Sequence, residues 1–91
     1  MGVTLTPVVT VLGDPVVWEG RYGPQHERFG DPYTGGLAVY RRGAGAELRL
    51  LCGDRPQAGD YRELRRLLRL EGVESFWYER RGSDKYKEVR L

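Results

Sequence analysis

The sequence predicts an α+β fold, a mainly antiparallel sheet of three hairpins with one amphipathic helix packed on one face, in the order β-β-loop-β-β-α-β-β. Three observations carry this. Runs rich in β-branched and aromatic residues come in pairs separated by turn residues. One segment alone, near residue 60, repeats leucine at helical spacing behind a capping pattern. With 91 residues there is room for one core, so every element must share it and the chain reads as a single domain over 1–91.

Val8 to Leu12 and Val16 to Trp18 flank the turn signal Gly13-Asp14-Pro15 and read as the first hairpin. Pro7 lacks a backbone donor and marks a strand start or a sheet edge. From about 19 to 36 the chain is interrupted by Gly20, Gly23, Pro24, Gly30, Pro32, Gly35 and Gly36, which predicts one long Gly/Pro-rich loop. Leu37 to Tyr40 and Glu47 to Cys52 flank a Gly/Ala-rich turn and predict a second hairpin. On its second strand Leu48, Leu50 and Cys52 alternate with Glu47, Arg49 and Leu51, so Cys52 is expected on the core face.

Asp60 followed by Glu63 gives a capping-box pattern, predicting a helix from about Tyr61 to Glu71 with Leu64, Leu67 and Leu68 turned inward. Loss of that cap should cost about 1 kcal/mol. Gly72 and Val73 predict a Schellman ending in which Val73 touches Leu68. A third hairpin follows. If its turn centres on Gly82-Ser83, Phe76 lies opposite Val89 and Trp77 opposite Glu88. Phe76, Tyr78, Val89 and Leu91 then face the core, and Trp77, Glu79, Tyr86 and Glu88 face away from it.

Composition narrows the function classes. A single cysteine forbids an internal disulfide, and no window reaches membrane-spanning length, so a reducing, cytoplasmic setting away from membranes is expected. One histidine and one cysteine far apart make neither a metal site nor a cofactor site, and no metal or cofactor is expected. Ser75 and Ser83, the only serines, stand in no nucleophile context, and Gly43-Ala44-Gly45 leads into a strand and lacks the Lys-Ser/Thr pair of a phosphate loop. The expectation is a protein that is not an enzyme.

Three surfaces remain as candidates. Arg62, Arg65, Arg66 and Arg69 are spaced to share one helix face, with only Glu63 near them, and Arg80 and Arg81 extend the basic character of a C-terminal third holding 9 basic against 6 acidic residues from 61 to 91. This stripe suits an anion or an acidic partner; its bland alternative is a solvated face. The loop gathers Arg21, Tyr22, His26, Arg28, Phe29 and Tyr33, a composition closer to recognition than to catalysis. Its alternative is a disordered excursion. Trp77 and Tyr86 are candidate interface aromatics, able also to cover a minor core or to serve a homodimer through the last hairpin.

The expected partner is another protein, contacted by a small accessory, inhibitory or assembly factor of the kind carried by phages and mobile elements. The alternative is nucleic acid held at its phosphates by the arginine-striped helix.

Overall fold

The computed structural model describes residues 2–79 and 86–91, with the backbone alone described for Glu79 and for residues 86–90. The elements are β1 (Gly2–Val11), β2 (Asp14–Gly23), β3 (Gly35–Arg42), β4 (Gly45–Gly53), α1 (Ala58–Leu70), β5 (Ser75–Glu79) and β6 (Tyr86–Arg90). They form the predicted α+β architecture, a six-stranded sheet in chain order β1-β2-β3-β4-β5-β6. Every neighbouring pair is antiparallel except β4 and β5, which are parallel. A parallel pair needs a crossover, and α1 supplies it.

Strand alternation places Trp18, Leu37, Val39, Ala46, Leu48 and Phe76 on one face, and Leu64 and Leu68 of the helix complete the same buried cluster. Trp18, Val39, Leu48 and Tyr78 are laterally paired, so one apolar row crosses four strands beneath the helix. The helix ends as its sequence predicts: Gly72 has φ +77°, the Gly72 N–H donates to Arg69 O at 3.0 Å and the Val73 N–H to Leu68 O at 3.0 Å. On the same face Arg41 Nη1 donates to Glu71 O at 2.8 Å, tying β3 to the helix terminus.

The third hairpin has the expected register, Phe76 opposite Val89 and Trp77 opposite Glu88. Phe76 is buried, and Tyr78 and Leu91 pack against the core from its rim. Its turn, with Arg80 and Arg81, and the Tyr86 side chain lie outside the described residues.

Four expectations are corrected. The helix begins at Ala58, and its N-cap is Gln57, so Asp60 is its third residue, whose carboxylate reaches back to accept the Gln57 N–H at 2.8 Å. Glu63 takes no part in the cap and bonds Arg66 instead. The first turn is Leu12-Gly13, with φ of 52° and 87°, the two left-handed positions of a type I′ hairpin; Asp14 and Pro15 already belong to β2.

The loop is shorter than 19–36. β2 runs on to Gly23 and β3 starts at Gly35, leaving 24–34 as the connection. Gly20 and Gly35, in the flanking strands, serve close packing: a Cβ on Gly20 would sit 2.9 Å from Leu37 Cδ1, and one on Gly35 would sit 2.5 Å from the Tyr22 ring. Cys52 is exposed, not buried. Gly36 pairs with Cys52 while Leu37 pairs with Leu50, so Leu51 is an extra residue, and this bulge turns Cys52 to the opposite face.

Candidate functional site

Among the described residues no helix or second sheet covers the face of the sheet away from α1. Alternation from the core row assigns it Val17, Glu19 and Arg21 of β2, Gly36, Ala38 and Tyr40 of β3, Glu47 and Arg49 of β4, and Trp77 of β5. Val17, Tyr40, Glu47 and Trp77 form one lateral row across four strands, each half-buried. The Trp77 ring rests on Gly45, where a Cβ would be 2.6 Å from ring atom Cζ3; only glycine lets the indole lie flat there.

The 24–34 connection folds back over one end of this face. His26 has 0% exposure, its Nε2 lies 2.7 Å from Thr4 Oγ1 on β1, and its Nδ1 lies 3.2 Å from the Asp31 carbonyl. Asp31 Oδ2 accepts the Glu27 and Arg28 N–H groups at 3.1 and 3.0 Å, which closes a tight turn. Those two donors hold the Asp31 carboxyl below its ordinary range. The connection is thus a built element, anchored at its centre by a buried imidazole.

This anchoring presents two aromatic rings. The Arg21 guanidinium lies 4.6 Å from the Tyr33 ring centroid and 5.0 Å from that of Phe29, within cation–π range of both. Its Nε donates to Glu19 Oε1 at 2.7 Å. Phe29 is 62% exposed and Tyr33 43%, so the rings meet solvent on one side and the cation on the other. Further along the face Arg49 Nη2 and Arg42 Nη2 lie 3.0 and 3.6 Å from the Glu47 carboxylate. Glu19 and Glu47 are therefore both neutralised within the face.

The loop candidates divide. Arg21, Phe29 and Tyr33 come together, whereas His26 is the anchor beneath them. Tyr22 points to the helix side, buried, its hydroxyl donating to the Asp54 carbonyl at 2.5 Å, and burial pushes its phenol up. Arg28 contributes its backbone to the Asp31 turn.

The helix arginines lie on the far side of the molecule. Arg62, Arg66 and Arg69 are exposed and Arg65 is half-buried, all turned away from the leucines that face the sheet. Arg66 Nε bonds Glu63 Oε1 at 3.1 Å, and that bond holds the Glu63 carboxyl below its usual range. Arg62, Arg65 and Arg69 have no ion-pair partner among the described residues. The stripe and the aromatic face cannot share one flat contact, because α1 and the sheet stand between them.

Thr4, Glu19 and Tyr40 belong to this arrangement and carried no local signal, since each acquires its role only through strand pairing. Among the described residues no three His, Cys, Asp or Glu side chains are grouped to hold a metal ion, and no helix is long and apolar enough to cross a membrane. No protein-family model, curated protein or solved structure matches the chain.

Proposed function

We propose that the chain is a non-enzymatic protein-binding domain whose contact surface is the helix-free face of the sheet, centred on Arg21, Phe29 and Tyr33. The observation that carries this reading is the pairing of one guanidinium with two solvent-facing rings on a loop pinned from beneath by His26. Aromatic and arginine side chains dominate binding energy at protein interfaces, and rigid presentation lowers the ordering entropy that binding costs. The row from Val17 through Tyr40 to Trp77 extends the same surface. Because its carboxylates are already matched by guanidiniums, the face carries little net field, which suits a protein better than a polyanion. An accessory, inhibitory or assembly role in a reducing compartment fits the size of the domain and its exposed Cys52 thiol.

A second reading draws on a separate observation, the three helix arginines without a carboxylate. Arg62, Arg65 and Arg69 suit the phosphates of a nucleic acid. Titration of labelled single- and double-stranded oligonucleotides against the full chain at rising salt tests it. The protein-binding reading predicts weak association with no preference and no residual binding at moderate salt. Tight binding that falls steeply with salt and is lost in Arg65→Glu with Arg66→Glu would replace it with the nucleic-acid reading.

A further inference from the structure

The helix leaves part of its own face of the sheet uncovered. α1 starts at Ala58, and the first of its apolar side chains to pack on the core is Tyr61. The Tyr61 ring leans on that of Tyr78, with centroids 5.5 Å apart and planes tilted by 35°. On the sheet, β5 pairs with β4 only as far as Tyr78 opposite Leu48, so among the described residues no strand flanks Leu50 on that side. Leu50 is accordingly 46% exposed. Between these elements lies a cavity of about 260 Å³. The sheet contributes Leu37, Leu48 and Leu50 to it, and Tyr61, Tyr78 and the Arg55-Pro56 connection complete the lining.

Three polar groups border this apolar space without a partner among the described residues. The Tyr61 and Tyr78 hydroxyls make no hydrogen bond there, and the Arg55 guanidinium makes neither hydrogen bond nor ion pair, although Asp54 precedes it in the chain. Burial raises the Tyr61 phenol, the Tyr78 phenol raises it further and Arg55 opposes them, so both neighbours lie within electrostatic reach of the Tyr61 oxygen. No carboxylate lines the cavity among the described residues. Its other charged lining residue, Arg49, bonds Glu47. The volume exceeds that of one or two waters, whose share is about 30 Å³ each, and falls just below the range of about 300–1,000 Å³ for drug-sized ligands.

We propose that this cavity binds a small monocarboxylic acid with an aryl-sized apolar body, the body lying against Leu37, Leu48 and Leu50 and the carboxylate meeting Arg55 and the hydroxyls of Tyr61 and Tyr78. The chemistry of the lining selects this class. Three leucines and two rings call for an apolar body, and a guanidinium beside two phenolic donors suits a carboxylate, which accepts several hydrogen bonds at once. A cationic ligand would face Arg55 with no carboxylate to balance it. A dianion such as phosphate would find one unmatched cation, since Arg49 is held by Glu47, and would leave the leucines wet.

The cavity lies on the helix side of the sheet, so it is a second site, independent of the proposed partner face. Titration of the isotope-labelled full chain with 3-phenylpropionate, followed by amide chemical shifts, tests it beside 3-phenylpropan-1-ol, which has the same body without the charge. The acid is expected to give saturable shifts at Leu37, Leu48, Leu50 and Tyr61 with a Kd of about 1 mM or tighter. The alcohol should bind about tenfold more weakly, and Arg55→Gln should weaken the acid by about tenfold while leaving the alcohol unchanged. Arg55 is exposed and makes no contact that holds the fold, so this variant separates lost binding from lost folding. Absence of saturable shifts at these residues at about 10 mM acid overturns the proposal. So does an alcohol that binds as tightly as the acid, or acid binding that Arg55→Gln leaves intact and that Arg65→Glu with Arg66→Glu removes.

Discussion

His26 Nε2 and Thr4 Oγ1 lie 2.7 Å apart, joining the centre of the 24–34 connection to the first strand of the sheet. The Asp31 carbonyl at 3.2 Å from Nδ1 can only accept, so Nδ1 donates to it, while Nε2 meets the Thr4 hydroxyl, which can donate or accept. Both ring nitrogens are thereby satisfied inside the fold. Gly2 supports the same junction, since a Cβ there would lie 2.7 Å from the His26 carbonyl oxygen.

Thr4→Val keeps the shape and removes the hydroxyl, leaving a buried nitrogen without a partner. The expected loss is about 1 to 3 kcal/mol in urea unfolding, with no change in far-ultraviolet circular dichroism before the transition. Faster hydrogen exchange confined to the Glu27, Arg28 and Asp31 amides would accompany it. An unchanged midpoint would mean that the loop does not depend on this bond.

Low pH should open the same loop from its other anchor. The Asp31 carboxyl is depressed by the Arg28 and Glu27 N–H groups, so its stabilisation is complete above the ordinary carboxylate pKa and is lost as pH falls through its lower folded value. Below about pH 4, amide resonances of Glu27 and Arg28 should shift together with the Asp31 side chain, and Asp31→Asn should abolish that titration. Tyr22 sets the opposite limit. Burial raises its phenol, so its contribution is complete below the ordinary tyrosine pKa and erodes above about pH 10, where the share of tyrosinate absorbance that Tyr22→Phe removes should appear only with unfolding.

Gly35→Ala tests the close approach of β3 to its surroundings. The added methyl would meet the Tyr22 ring at 2.5 Å and the Asp54 carbonyl oxygen, two groups already fixed by a mutual hydrogen bond. A loss of about 3 kcal/mol is expected in chemical denaturation. Gly30→Ala is the matched control. Its Cβ meets nothing within 4 Å, so it pays only for a φ of +99°, and it should cost less than Gly35→Ala.

Leu68→Ala removes a side chain with 0% exposure at the contact between helix and sheet. The expected loss is about 2 to 5 kcal/mol, against less than about 1 kcal/mol for Glu63→Gln, which breaks only the surface pair with Arg66. Equal effects in thermal unfolding would contradict the placement of the core.

Local chemistry made much of this fold legible. The Phe76–Val89 register follows from aromatic alternation about a turn, and the Gly72-Val73 ending follows from a left-handed glycine with an apolar residue after it. The helix start was ambiguous because Gln57 with Asp60 and Asp60 with Glu63 have the same capping spacing; only coordinates show which pair closes. Gly20, Gly23, Gly35 and Gly36 read as breakers, since a sequence does not show that a ring or a carbonyl will occupy the space of their missing side chains. Cys52 was misplaced by the single extra residue at Leu51. In the candidate site the cluster of Arg21, Phe29 and Tyr33 was visible as composition, while Thr4 was not, because its contact spans 22 residues and obeys no local period.

The helix-free face and the helix arginines lie on opposite sides of the molecule, so one comparison separates them. The immobilised full chain, Phe29→Ala with Tyr33→Ala, and Arg65→Glu with Arg66→Glu would each be exposed to nuclease-treated lysate of the native host at moderate salt, and the retained molecules identified by mass spectrometry. The expected result is one protein held by the wild type and by the arginine variant and absent from the aromatic variant. A partner that survives loss of both rings but disappears with Arg65 and Arg66, or that nuclease removes, would contradict the assignment of function to the aromatic face.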